Sequence, residues 1–175
     1  MKTLCILINL IGGALVLASY AYGLIQNKNS IATLWGGVPE YLRVYYTIGM
    51  ISATFGYLAF SYYLLFHVNA HEARVFGFFS FNIFNFIYLL ILVPSMFFMF
   101  LAFKMAILPS LFTWVSLRLI LFLVALGALL MIVALVGLTV RFSSGAYWIA
   151  LIGSSLFFLH TFVLDAIIWP YFFRK

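Results

Sequence analysis

Acidic residues are almost missing from this chain: among 175 residues only Glu40, Glu72 and Asp165 carry a side-chain carboxylate. Charged residues of both signs together make up 7%, against about a quarter in a soluble domain, so the chain cannot cover an aqueous surface. One cysteine, Cys5, excludes an internal disulfide and the paired-thiol chemistry of membrane oxidoreductases. It reads as a small apolar residue near a helix start. Strand-type alternation, internal repeats and low-complexity tracts are also missing, which argues against a β-barrel. The nine Lys and Arg would suggest nucleic acid in a soluble protein. Here they sit at segment ends, where they meet lipid headgroups and set topology, and no nucleic-acid partner is expected.

What is abundant is apolar. Two thirds of the residues are hydrophobic, mean hydropathy is +1.23, and five stretches (3–25, 45–68, 75–103, 111–140 and 147–171) reach the roughly 20 residues that cross a hydrocarbon core. Polar or breaker runs at 26–30, 69–74, 104–110 and 141–145 separate them. The expectation is an all-α polytopic membrane protein: one domain over residues 1–175, a bundle of five transmembrane helices, and a short interfacial segment in the first loop. Pro94 withdraws the N–H that the Leu90 carbonyl would use, so a kink in helix three is expected. Five spans place the termini on opposite sides. Lys2, Arg74 and Arg141 fall on the N-terminal side; Lys28, Arg43, Lys104, Arg174 and Lys175 fall on the other, and Arg118 can snorkel toward it. The basic asymmetry favours the N-terminus outside and the C-terminus in the cytoplasm. Lys2, the apolar run and Ser19-Tyr20-Ala21 resemble a signal peptide, but cleavage would put the basic Lys28–Arg43 loop outside, so a retained first helix is expected.

Arg118 and Asp165 are the only basic and acidic residues inside the long apolar stretches. Arg118 lies seven residues into helix four, about 10 Å at 1.5 Å per residue, and Asp165 lies six residues before Tyr171 in helix five, about 9 Å from the same face. Consecutive antiparallel helices bring such groups together, and pairing offsets much of the about 2.5–3.5 kcal/mol that an isolated intramembrane charge costs. Two readings follow: a relay, gate or headgroup site at the cytoplasmic mouth, or an interhelical clasp with no other duty. Ser154, Thr161 and Asp165 recur at helical spacing as a thin polar stripe, with Trp169 one turn beyond. Trp114, one turn before Arg118, can cover the guanidinium face, although a headgroup-level belt explains the tryptophans more simply.

The first loop, 26–44, carries Leu34-Trp35-Gly36-Gly37-Val38-Pro39 and reads as an interfacial or re-entrant segment on the same face as Arg118 and Asp165. Glu40 and Arg43, three apart, can pair on one short turn. His67, His71 and Glu72 have a spacing that can ligate metal, but only if helix two runs on through Asn69, so no metal site is assigned. His160 points about 100° away from the Asp165 stripe on an α-helix and reads as a hydrogen-bonded bundle histidine. Asn9, Asn82 and Asn85 read as interhelical donors. Small residues at Gly49, Ser52, Ala53 and Gly56, and at Ala14/Ala18 and Ser19/Gly23, allow close helix approach. The many Phe between positions 76 and 103 read as lipid-facing.

Three functions remain. One is a membrane protein that binds or passes a small ion or lipid-like ligand through a cytoplasm-facing cavity at Arg118, Asp165, Thr161, Ser154, Trp114, Trp169, Glu40 and Arg43. The second is a structural subunit of a membrane complex, with homo-oligomers or partner membrane subunits. The third is a headgroup-level lipid-modifying enzyme drawing on Asp165, Glu40 and Arg43, although no nucleophile–base spacing is visible. Membrane lipids are the common partner, and the sequence identifies no cofactor.

Overall fold

The computed structural model describes residues 1–141 and 143–173; Phe142 and the basic pair Arg174 and Lys175, counted above toward topology, lie outside them. Among the described residues, five helices are long and apolar enough to cross a membrane: α1 (Lys2–Gln26), α2 (Glu40–His67), α3 (Asn82–Ile107), α4 (Leu111–Val136) and α5 (Ser144–Phe173). Sequence explains several of their ends. Ser110 caps α4, its Oγ accepting from the Thr113 N–H at 3.1 Å, and α2 begins directly after Pro39. The outer surface is apolar throughout, with Leu10, Leu17, Phe55, Phe100 and Phe112 all exposed.

Two of the expected stretches are shorter as helices than as apolar runs. Residues 74–80 form a small antiparallel hairpin, Arg74–Val75 against Phe79–Ser80, before α3 starts at Asn82. The end of the fourth stretch leaves α4 at Val136 and joins that hairpin: Phe76 N–H donates to the Gly137 carbonyl at 2.7 Å and Thr139 N–H to the Arg74 carbonyl at 3.0 Å. Phe76 holds φ +54° here, and its ring lies so close to Gly137 that a Cβ there would meet it at 2.7 Å. The Phe-rich run is not uniformly outward either, since Phe81, Phe84 and Phe103 are buried.

Helix order in space differs from order in sequence. Around the bundle the neighbours run α1, α3, α4, α5, α2. The α2–α5 seam is the closest: a Cβ on Gly56 would sit 2.2 Å from the Gly153 carbonyl oxygen, so the small residues expected on helix two do bring two backbones together. On α1 the expectation fails in part. Gly12 and Gly23 meet Leu92 and Met99 of α3, while Ala14 and Ala18 are exposed. Although consecutive, α1 and α2 share no extended packing. They touch near the N-terminal end of α1, where Lys2 Nζ donates to the Val68 carbonyl at 3.0 Å and Tyr57 Oη donates to Asn9 Oδ1 at 2.6 Å. Toward the first loop they part.

Candidate functional site

The second half of α5 does not keep the α-helical repeat. From Leu159 to Ile168 the backbone hydrogen bonds run from residue i+5 to residue i, a widened winding that is rare and concentrated at functional sites. On an α-helix His160 and Asp165 would be about 140° apart. In the widened stretch His160 Nε2 lies 3.4 Å from Asp165 Oδ2, the only ion-pair contact among the described residues. The expected divergence of His160 from Asp165 is therefore corrected, because five residues now make about one turn. His160 itself is buried against α2, where a Cβ on Gly49 would meet its Nδ1 at 2.7 Å, and among the described residues that Nδ1 has no hydrogen-bond partner.

Arg118 and Asp165 reach the same level but do not join. Arg118 Nη1 donates to the Ala166 carbonyl at 2.5 Å, and among the described residues no ion pair links it to Asp165. Pro170, with no N–H, can serve neither the Ala166 carbonyl of an α-helical repeat nor the Asp165 carbonyl of the five-residue winding. The guanidinium on Ala166 is held between Phe122 (4.8 Å to the ring centroid) and Trp114 (6.0 Å). Tyr46 of α2 acts likewise from the other side, donating to the Leu164 carbonyl at 3.0 Å. Arg118 is thus a clasp between α4 and the backbone of α5.

The polar stripe does not form as a ligand surface. Ser154 and Thr161 are buried and donate to carbonyls of their own helix, Leu151 at 2.9 Å and Phe157 at 2.9 Å. Trp169 is buried, donates to the Leu34 carbonyl at 2.8 Å and stacks on Phe173 at 4.1 Å. Through it the 3-10 segment Lys28–Trp35 is tied over the end of α5, with Gly37 N–H donating to the Phe172 carbonyl at 3.1 Å. Gly36 (φ +53°) is needed at the turn, since a Cβ would press on the Phe173 backbone at 2.8 Å. Glu40 and Arg43 do not pair among the described residues; Glu40 is exposed, and Arg43 donates to the Val38 carbonyl at 3.3 Å and lies over the Trp35 ring at 5.5 Å. At the opposite end α2 stops at His67, so His71 stands in the following turn, off the helix.

What remains as a site is Asp165 with its surroundings. The residue lies deep within the bundle, yet 31% of its side chain stays accessible. Tyr20 on α1 and Tyr46 on α2 lie within electrostatic range of it, on two helices that share no extended packing. Tyr20 stacks with Phe98 (6.0 Å, 29°), and Phe98 meets Trp169 (5.6 Å, 60°) one turn beyond Asp165. Tyr46 meets Trp35 edge-on at 6.0 Å. An accessible carboxylate can accept a hydrogen bond or hold a cation. Sequence reasoning missed Tyr20, Tyr46 and Phe98, whose helices come together only through the spatial order of the bundle.

No known protein family, curated protein or solved structure matches the chain. The functional reading therefore rests on this geometry.

Proposed function

We propose that the chain is a five-span integral membrane protein that binds a small lipid-like ligand in the gap between α1 and α2, with the ligand's polar group at Asp165. One observation carries the reading: a carboxylate with accessible surface inside one of five long apolar helices, in a bundle where α1 and α2 share no extended packing. A charge inside a bilayer is costly, so it is kept where it meets something. The apolar outer surface and five helices of sufficient length support insertion. The Lys/Arg asymmetry supports a cytoplasmic C-terminus, with Lys28, Arg43 and Lys104 at the end nearer Asp165.

Native mass spectrometry of the full chain released from gentle detergent tests the binding. The expected spectrum carries a retained small amphiphile on the wild type. Bare protein after purification from membranes overturns the reading. Topology is tested with single cysteines at positions 28 and 143 in a Cys5→Ser background. Impermeant labelling is expected from opposite sides, and labelling of both from one side overturns the five-span arrangement. A second reading, a subunit of a membrane assembly, draws on the exposed Ala14 and Ala18 of α1, whose spacing suits helix association. Stoichiometric dimers or partner chains in the same spectrum would favour it.

A further inference from the structure

Resting on the ligand reading above, we infer the class of that ligand: a cationic amphiphile, an apolar chain bearing a protonated amine, whose ammonium sits on Asp165. Among the described residues Asp165 has no basic partner but His160, because Arg118, the one Arg or Lys inside these helices near it, is committed to the Ala166 carbonyl. His160 contacts Oδ2, and among the described residues none donates a hydrogen bond to Oδ1. An anionic headgroup would be repelled here. A neutral hydroxyl would leave the carboxylate's charge uncompensated in a region of low dielectric, whereas an ammonium removes that cost.

The walls point the same way. Tyr20 and Tyr46 lie within electrostatic range of the carboxylate, Phe98 packs on Tyr20 and Trp169 on Phe98, and aromatic rings attract ammonium groups. Carboxylate plus aromatic walls is the donor set that amine recognition uses, and it has little to offer a phosphate or a fatty acid. The way in is lateral. Because α1 packs on α3 and not along α2, an apolar chain can lie between the two helices with its head inward and its tail in the hydrocarbon. At the other end the Tyr57–Asn9 hydrogen bond closes the gap, which sets how far such a chain can run.

The full chain in phosphatidylcholine nanodiscs is titrated with hexadecylamine, hexadecanol and hexadecanoic acid, and binding is read by adduct occupancy in native mass spectrometry and by shift of the thermal midpoint. The amine is expected to bind about tenfold tighter than the alcohol, with the acid weakest. Asp165→Asn is expected to erase the preference. Tyr20→Leu, which removes a wall and leaves the carboxylate, is expected to weaken the amine and spare the alcohol. It keeps the proposal testable should Asp165→Asn fail to fold. Equal binding of amine and alcohol at one saturable site overturns the cationic class and leaves the ligand reading standing. Preference for the acid does the same. No saturable binding by any of the three, on a chain that also carries no amphiphile from the membrane, overturns both.

Discussion

The two ends of the bundle handle buried polar groups in opposite ways. Near the N-terminus of α1 two pairs of them meet side chain to side chain across helices: Tyr57 Oη donates to Asn9 Oδ1 at 2.6 Å and Tyr88 Oη to Ser61 Oγ at 2.9 Å, so α1, α2 and α3 are joined around Phe60 and Phe157. Near the first loop the cross-helix bonds run instead from side chains to the carbonyls of α5, from Arg118 and Tyr46, and the one acidic group is left with accessible surface. The first arrangement closes a bundle, and in a bilayer lipid would offer no alternative partner. The second holds a helix in a widened winding and leaves a carboxylate accessible. Under the proposed ligand reading, stability and binding fall to different halves of the same five helices.

The largest expected effect lies on the seam that both halves share. In Gly56→Ala the new methyl meets the Gly153 carbonyl oxygen at 2.2 Å, a backbone atom that cannot turn aside, so α2 and α5 must separate. A loss of about 3 kcal/mol or more is expected, read as a collapse of the thermal midpoint or of the monodisperse peak on size exclusion. Gly13→Ala is the control. Nothing lies within 4 Å of its Cβ, and stability should change by less than about 0.5 kcal/mol. Equal behaviour of the two would mean that the α2–α5 contact is not the seam.

Next comes the clasp. Arg118→Gln removes a charge-assisted bond to the Ala166 carbonyl, and a loss of about 2 kcal/mol is expected. Adding Asp165→Asn should give a simple sum, with coupling below about 0.5 kcal/mol, because the two groups do not pair. Recovery of stability in the double variant would instead restore an Arg118–Asp165 ion pair. In the closed half, Tyr57→Phe strands the Asn9 carbonyl oxygen, and about 1 kcal/mol is expected, with the cationic-amphiphile titration unchanged. A Tyr57→Phe variant with altered amine affinity would extend the site across the whole gap and erase the contrast between the halves.

Much of this was readable in the sequence, and the failures share a cause. Five apolar runs gave five helices, and a rise of 1.5 Å per residue put Arg118 and Asp165 at one level, as found, with Arg118 bound one residue away at Ala166. Rotation is where reading broke down. Spacing rules assume about 100° per residue, and the widened stretch from Leu159 to Ile168 cancels them, turning His160 toward Asp165 and dissolving the Ser154–Thr161–Asp165 stripe. Nothing in the composition of that stretch announces the change. The spatial order of the helices was equally hidden, since a long first loop lets α1 settle on α3, and Tyr20 and Phe98 become neighbours only then. The hairpin at 74–80 was lost because a short apolar run bordering a helix carries no period of its own. The partner of Trp169 was hidden for a simpler reason: its N–H finds the Leu34 carbonyl, a contact 135 residues apart in the chain.

One signal was present and unused: Pro170. A proline inside a helix frees the carbonyl four residues earlier in an α-helical repeat, here Ala166, and five earlier in the widened one, here Asp165, and a freed carbonyl in an apolar setting calls for a donor from elsewhere. Arg118 is the one strong donor on α4 at that level. If the guanidinium is there for the Ala166 carbonyl, returning an N–H to position 170, which lets the segment take up the α-helical repeat, should make it dispensable. Pro170→Ala is expected to be close to neutral alone, since the guanidinium already serves Ala166. In the double variant Pro170→Ala with Arg118→Gln, the backbone supplies the missing donor, and the loss seen in Arg118→Gln should shrink by about 0.5–1 kcal/mol, a coupling a double-mutant cycle of thermal midpoints can resolve. A coupling of zero would mean that Arg118 serves the guanidinium's own desolvation, with Ala166 merely the acceptor at hand. A coupling as large as the whole Arg118→Gln loss would show the clasp to be one hydrogen bond and nothing more, leaving Phe122 and Trp114 without an energetic share in holding the charge.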